Sequence, residues 1–124
     1  MKTVLIVEDL AELRDVLKRV LAANGYQVLT AVDAQDALSQ AAAAPAPIDI
    51  LLTDWRLPGL SGRELALQLA ATRPHLRVLL SSGKVDLAVD DLKWLEPLGE
   101  YLPKPYDLPA MLEAIQRLDA QGSR

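Results

Sequence analysis

Short apolar runs alternate with longer amphipathic segments along the chain. Val4–Val7 is a continuous apolar run with β-branched residues, the pattern of a strand buried on both faces of a parallel sheet. Leu10, Leu13, Leu17, Val20 and Leu21 recur at helical spacing among Glu12, Arg14, Asp15, Lys18 and Arg19, which predicts an amphipathic helix. Asn24-Gly25 supplies its stop, because glycine tolerates the left-handed conformation at a helix end. Tyr26–Ala31 reads as a second strand, and Asp33 as the cap of a second helix carrying Ala37, Leu38 and Ala41. Pro45 and Pro47 make Ala41–Pro47 a helix end and loop.

Ile48–Thr53 is the most hydrophobic strand candidate and runs straight into Asp54. Pro58-Gly59 and Ser61-Gly62 mark a sharply turned loop. Glu64–Thr72 follows as a third helix with Leu65, Ala66 and Leu69 on its apolar face, and Arg77–Leu80 as a fourth strand ending at Ser81-Ser82-Gly83. Asp86–Leu95 is a weakly favoured fourth helix, diluted by Val89 and Asp90-Asp91. Tyr101-Leu102 is a short fifth strand bounded by Pro103 and Pro105, and proline there argues for an edge position. Leu108, Met111, Leu112, Ile115 and Leu118 form the last amphipathic helix. Five strands alternating with five helices predict an α/β fold, a doubly wound parallel sheet covered on both faces.

Length allows one domain spanning 1–124, with the last few residues a short tail. Hydrophobic residues at 51% and charged residues at 24% exclude intrinsic disorder. Lys and Arg number 13 against 17 Asp and Glu, a net charge of −4, which argues against direct nucleic-acid binding. The absence of cysteine removes thiol nucleophiles and zinc–cysteine sites, and the lone His75 removes multi-histidine metal sites. No signal peptide or membrane-spanning run appears, so the expected localisation is cytoplasmic.

In an open parallel sheet, sites form beyond the carboxyl ends of the strands. Here those ends carry Glu8-Asp9, Asp54, Ser81-Ser82 and Lys104. Three carboxylates together repel unless a cation joins them, and a hard divalent ion such as Mg2+ resolves the conflict. Lys104 complements a further anion as a point charge, and a Ser82 hydroxyl can donate to a phosphoryl oxygen. Asp54 can act as a carboxylate nucleophile, forming an acyl phosphate. Metal plus lysine would stabilise a phosphoryl group in flight.

At this point the chain resembles the receiver domain of bacterial two-component response regulators, over nearly its whole length. The matching runs are Val4–Asp9, Leu51–Gly59, Val78–Gly83 and Tyr101–Tyr106, in order and at consecutive α/β spacings. The resemblance implies a flavodoxin-like (βα)5 sheet of order 2-1-3-4-5. It implies that Asp54 takes phosphate from a histidine kinase or histidine phosphotransfer protein, with Lys104 contacting the phosphoryl group. Asp9 and Asp54 match direct Mg2+ ligands, Glu8 an acidic neighbour acting through water, and Arg56 a ligand through its backbone carbonyl. Ser82 matches the switch hydroxyl and Tyr101 the switch aromatic, and the Lys104–Pro105 bond is expected to be cis. The family signals through the face of helix four, strand five and helix five, and is a phosphoacceptor rather than a turnover enzyme. It acts as a monomer or weak dimer.

Other readings stand beside these. Glu8-Asp9 can simply favour a helix dipole, Asp54 can form a turn, Lys104 can be solvated, and Tyr101 can be strand filler. Ser81 reads as structural, and Trp55 and Trp94 as packing residues, with Trp55 close enough to Asp54 to report on the site optically. Arg56 and Lys84 depart from the commonest pattern at the mouth of the site, where side chains set phosphate lifetime. A haloacid-dehalogenase-like phosphatase needs a second acid where Arg56 stands. A nucleotide module needs a glycine- or hydroxyl-rich loop where Glu8-Asp9-Leu10 stands. A pseudo-receiver that only binds partners, or a receiver excised from a hybrid histidine kinase, is the remaining alternative. Asp119–Arg124 closing the sequence points to a stand-alone receiver acting through protein partners.

Overall fold

The computed structural model describes residues 2–44, 47–83 and 92–122. Five parallel strands form one sheet: β1 (Thr3–Val7), β2 (Gln27–Ala31), β3 (Ile50–Asp54), β4 (Arg77–Ser82) and β5 (Gly99–Pro103). Their order is β2-β1-β3-β4-β5, and all four pairings are parallel. Four described helices connect or follow them: α1 (Ala11–Ala23), α2 (Ala34–Ala43), α3 (Gly62–Ala71) and α4 (Leu108–Gly122).

The apolar residues divide by strand alternation into two layers. Leu5, Val7, Leu51, Val78 and Leu80 pack on α2 and α3 through Ala34, Ala37, Leu65, Ala66 and Leu69. Val4, Ile6, Ile50, Leu52 and Leu79 pack on α1 and α4 through Leu17, Leu21, Met111, Ile115 and Leu118. Both faces of the sheet are therefore covered, which is why the central strands read as unbroken apolar runs.

Local chemistry sets the ends. Asp33 caps α2 by accepting from the Asp36 N–H at 2.8 Å. Ser61 and Glu64 form a capping box on α3, so that helix starts before Glu64, at Gly62. The third strand begins at Ile50 rather than Ile48, and just ahead of it the Asp49 carboxylate accepts the Thr3 N–H at 2.8 Å. β5 lies at the sheet edge, as its prolines require, but is longer than Tyr101-Leu102. Its extension rests on Gly99, where a Cβ would overlap the Val78 carbonyl. Of the fourth predicted helix, Asp86–Leu95, all but the last four residues lie outside the described residues, as does Lys84. Residues 92–98 run in tight turns, closed by hydrogen bonds such as Leu98 N–H to Leu95 O at 2.8 Å.

Candidate functional site

The strand ends bring the predicted carboxylates together. Glu8 and Asp9 follow β1, and Asp54 closes β3. One carboxylate oxygen from each lies within 4.8 Å of the other two. Glu8 is buried and Asp9 exposed, so the cluster has a dry side and a wet side. The Glu8 carboxylate accepts the Leu10 N–H at 3.0 Å, and its backbone carbonyl accepts from Arg14 at 2.8 Å. The acidic pair thus lies just ahead of α1, which begins at Ala11, and contributes to the cluster.

Lys104 enters from the loop after β5, where the Lys104–Pro105 peptide is cis. Its Nζ lies 2.8 Å from Asp54 Oδ1 and 3.4 Å from Glu8 Oε1. Burial alone would lower the lysine's affinity for its proton. Asp54, and then Glu8, outweigh that and hold the pKa above the ordinary value. Burial pushes Glu8 the other way for a carboxyl, upward, and the Asp54 charge adds to it. The lysine is firmly cationic, and the buried acid resists ionisation.

Asp54, Arg56, Ser81, Ser82, Gly83 and Lys104 line a cavity of about 300 Å³. Arg56 is exposed at its rim. Tyr101 is half-buried, packs against the layer under α2 and α3, and donates from its hydroxyl to the Ser82 carbonyl at 3.4 Å. All the predicted site residues therefore converge on one end of the sheet. Three carboxylates against one lysine leave excess negative charge among hard oxygen donors, and that donor set fits Mg2+.

Sequence reading missed three contributors. Gly62 opens α3 against the end of β3: its N–H donates to the Trp55 carbonyl at 2.7 Å, and a Cβ there would collide with the Asp54 carbonyl oxygen and sit 3.2 Å from Leu80 Cδ1. Thr53 donates its hydroxyl to that same Asp54 carbonyl at 3.0 Å. Tyr106 lies beside Lys104 and Pro105, and burial raises its hydroxyl to about 12. In the sequence Ser61-Gly62 looks like any turn, and nothing local marks the glycine as one that must approach a strand. Trp55 and Trp94 pack as a tilted pair with ring centres 6.2 Å apart, so Trp94 shares any optical signal from Trp55.

The family model described as the response regulator receiver domain matches residues 4–116. The DNA-binding transcriptional regulator NtrC of Salmonella typhimurium is 32% identical over 112 residues, covering 90% of this chain and 24% of that protein. The chain thus spans about a quarter of the length of that curated relative. Among solved structures, a response regulator receiver domain protein from Clostridium thermocellum superposes with a TM-score of 0.86 at 27% identity, covering 98% of this chain and 96% of that one. The response regulator TrrA of Thermotoga maritima, solved in complex with Mg2+-BeF, superposes with a TM-score of 0.80 at 26% identity, covering 95% and 99%.

Proposed function

The chain belongs to the response regulator receiver domain family, and on that premise we propose that it is a phosphoacceptor switch. Asp54 takes a phosphoryl group from a phosphohistidine of a histidine kinase or a histidine phosphotransfer protein. The observation that carries this is the Asp54 carboxylate at a strand end, 2.8 Å from Lys104 and within the acidic cluster.

An Asp54 carboxylate oxygen attacks phosphorus as the P–N bond breaks, and the electron pair returns to the donor imidazole. Lys104 moves from the carboxylate to the arriving phosphoryl oxygens and offsets their charge. Glu8, Asp9, Asp54 and the Arg56 carbonyl would hold Mg2+, which supplies charge neutralisation for the carboxylates and the phosphoryl group. That TrrA was solved with Mg2+-BeF supports Mg2+ as the cation. Ser82 donates to the phosphoryl group, and its movement is read by Tyr101, whose hydroxyl already contacts the Ser82 carbonyl. The readout face is the segment before β5, β5 itself and α4, where a downstream protein docks. The chain assists its own phosphorylation without turning over a small substrate, and acts in the cytoplasm.

Intact mass after acetyl phosphate and Mg2+, beside Asp54→Asn, tests the reading. One added phosphoryl group that needs Mg2+ and is missing in Asp54→Asn supports it. A folded wild-type chain that never gains mass, from acetyl phosphate or from a phosphorylated phosphotransfer protein, favours a pseudo-receiver.

A further inference from the structure

Two adjacent serines end β4, and only one of them is absorbed by the reading above. Ser81 pairs directly with Asp54 in the β3–β4 register. Paired residues in a parallel sheet project to the same face. The strand alternation agrees: Leu79 and Leu52 point into the layer under α1 and α4, so Ser81 and Asp54, each two residues on, take that same face. Ser81 is 1% exposed, and among the described residues its Oγ meets no hydrogen-bond partner. Ser81 also lines the cavity that holds Asp54, Arg56, Ser82 and Lys104.

A buried hydroxyl without a partner is unfavourable, and an apolar residue would be expected at such a position between Leu79 and the cavity. Its register partner, Asp54, brings an acceptor of the right chemistry to the same face and the same cavity. One carboxylate oxygen of Asp54 is already engaged by Lys104 at 2.8 Å, and the lysine leaves it when a phosphoryl group arrives.

We infer that Ser81 is a positioning hydroxyl for the Asp54 phosphoryl linkage. It donates to the Asp54 oxygen that does not carry phosphorus and hastens loss of the phosphoryl group. This rests on the phosphoacceptor reading. In hydrolysis, water oxygen bonds to phosphorus as the P–O bond to Asp54 breaks. The electron pair returns to the carboxylate, inorganic phosphate departs, and a water proton passes to solvent. Negative charge grows on the carboxylate in that step, and a hydroxyl aimed at it stabilises the leaving group.

The test follows the decay of the phosphorylated chain by intact mass after acetyl phosphate is removed, for wild type, Ser81→Ala and Ser81→Thr, with thermal melts of each. Ser81→Ala is expected to hold its phosphoryl group about three- to tenfold longer, the worth of one such hydrogen bond. Its melting temperature should stay level or rise, since the change removes an unpartnered buried hydroxyl. Ser81→Thr keeps the hydroxyl and should decay near the wild-type rate; if it fails to fold, the alanine variant alone decides. A wild-type decay rate in a folded Ser81→Ala overturns the inference and leaves the phosphoacceptor reading intact. A longer lifetime with a lowered melting temperature also overturns it, because disturbed packing would then be the cause. A wild-type chain that takes no phosphoryl group overturns both.

Discussion

Lys104→Met isolates the electrostatics of the site. Methionine keeps most of the lysine stem's apolar volume and deletes the charge. At an effective dielectric of about 20, an ammonium 2.8 Å from Asp54 and 3.4 Å from Glu8 is attracted by roughly 6 and 5 kcal/mol respectively before desolvation. The raised lysine pKa says that this attraction exceeds the desolvation cost. Without it, carboxylate oxygens within 4.8 Å of each other repel by roughly 3–4 kcal/mol per pair at the same dielectric. Asp9 is exposed and the cavity is open to water, so solvent takes up part of this. A net loss of about 2–3 kcal/mol at neutral pH without divalent cations is expected, or roughly 10 °C in melting temperature.

Two conditions should reverse that loss. Burial and Asp54 already raise the Glu8 pKa, and removing Lys104 raises it further. A carboxyl with a raised folded pKa favours the fold while protonated, and that contribution is lost as pH rises through the folded value. The deficit should therefore shrink on acidification. Mg2+ should also bind the variant more tightly, since one competing cation is gone. A tenfold gain is worth about 1.4 kcal/mol, or about 5 °C more stabilisation by saturating Mg2+ than wild type receives. The assay is a thermal melt by circular dichroism with and without Mg2+ at neutral and mildly acidic pH. A Mg2+-induced shift no larger than that of wild type would refute the argument that Lys104 and the metal share one acidic cluster.

Arg56→Ala should shorten the phosphoryl lifetime about threefold, because the exposed guanidinium at the cavity rim screens the group from water; unchanged decay by intact mass would end that idea. Tyr26 donates to Asp119 at 3.1 Å, and burial followed by Asp119 raises its phenol to about 12. That contribution is present below the ordinary phenol value near 10 and lost as pH rises through about 12. Urea titrations should show Tyr26→Phe about 1 kcal/mol less stable at neutral pH and losing less stability than wild type on going to alkaline pH. Leu79→Ala opens a cavity in the fully buried layer under α1 and α4 and should cost about 3 kcal/mol in urea unfolding. Its phosphorylation rate should stay at the wild-type level under conditions where it is folded.

The alternation of strands and helices was legible because it is written in local periodicity. A strand buried on both faces must be apolar throughout, and a helix on a sheet must repeat its apolar positions every three to four residues. The site's charged members were legible for a related reason. Glu8-Asp9, Asp54 and Lys104 interrupt the pattern just where apolar runs end, and sites in parallel sheets lie at those ends.

What the pattern does not encode is register and close approach. Ser81 and Ser82 are chemically identical neighbours, and the resemblance singled out Ser82; the pairing of Ser81 with Asp54 is what puts the Ser81 hydroxyl on the Asp54 face. Gly62 reads as part of a turn, and Gly99 lies outside the expected Tyr101-Leu102 strand. The structure makes both contact points, one against the Asp54 carbonyl and one against the Val78 carbonyl. The Lys104 ammonium joins two acids from strands that are remote in the chain. Each of these depends on atoms brought together by strand pairing and close packing. Local sequence determines which elements form; the packed tertiary structure decides which of their side chains meet.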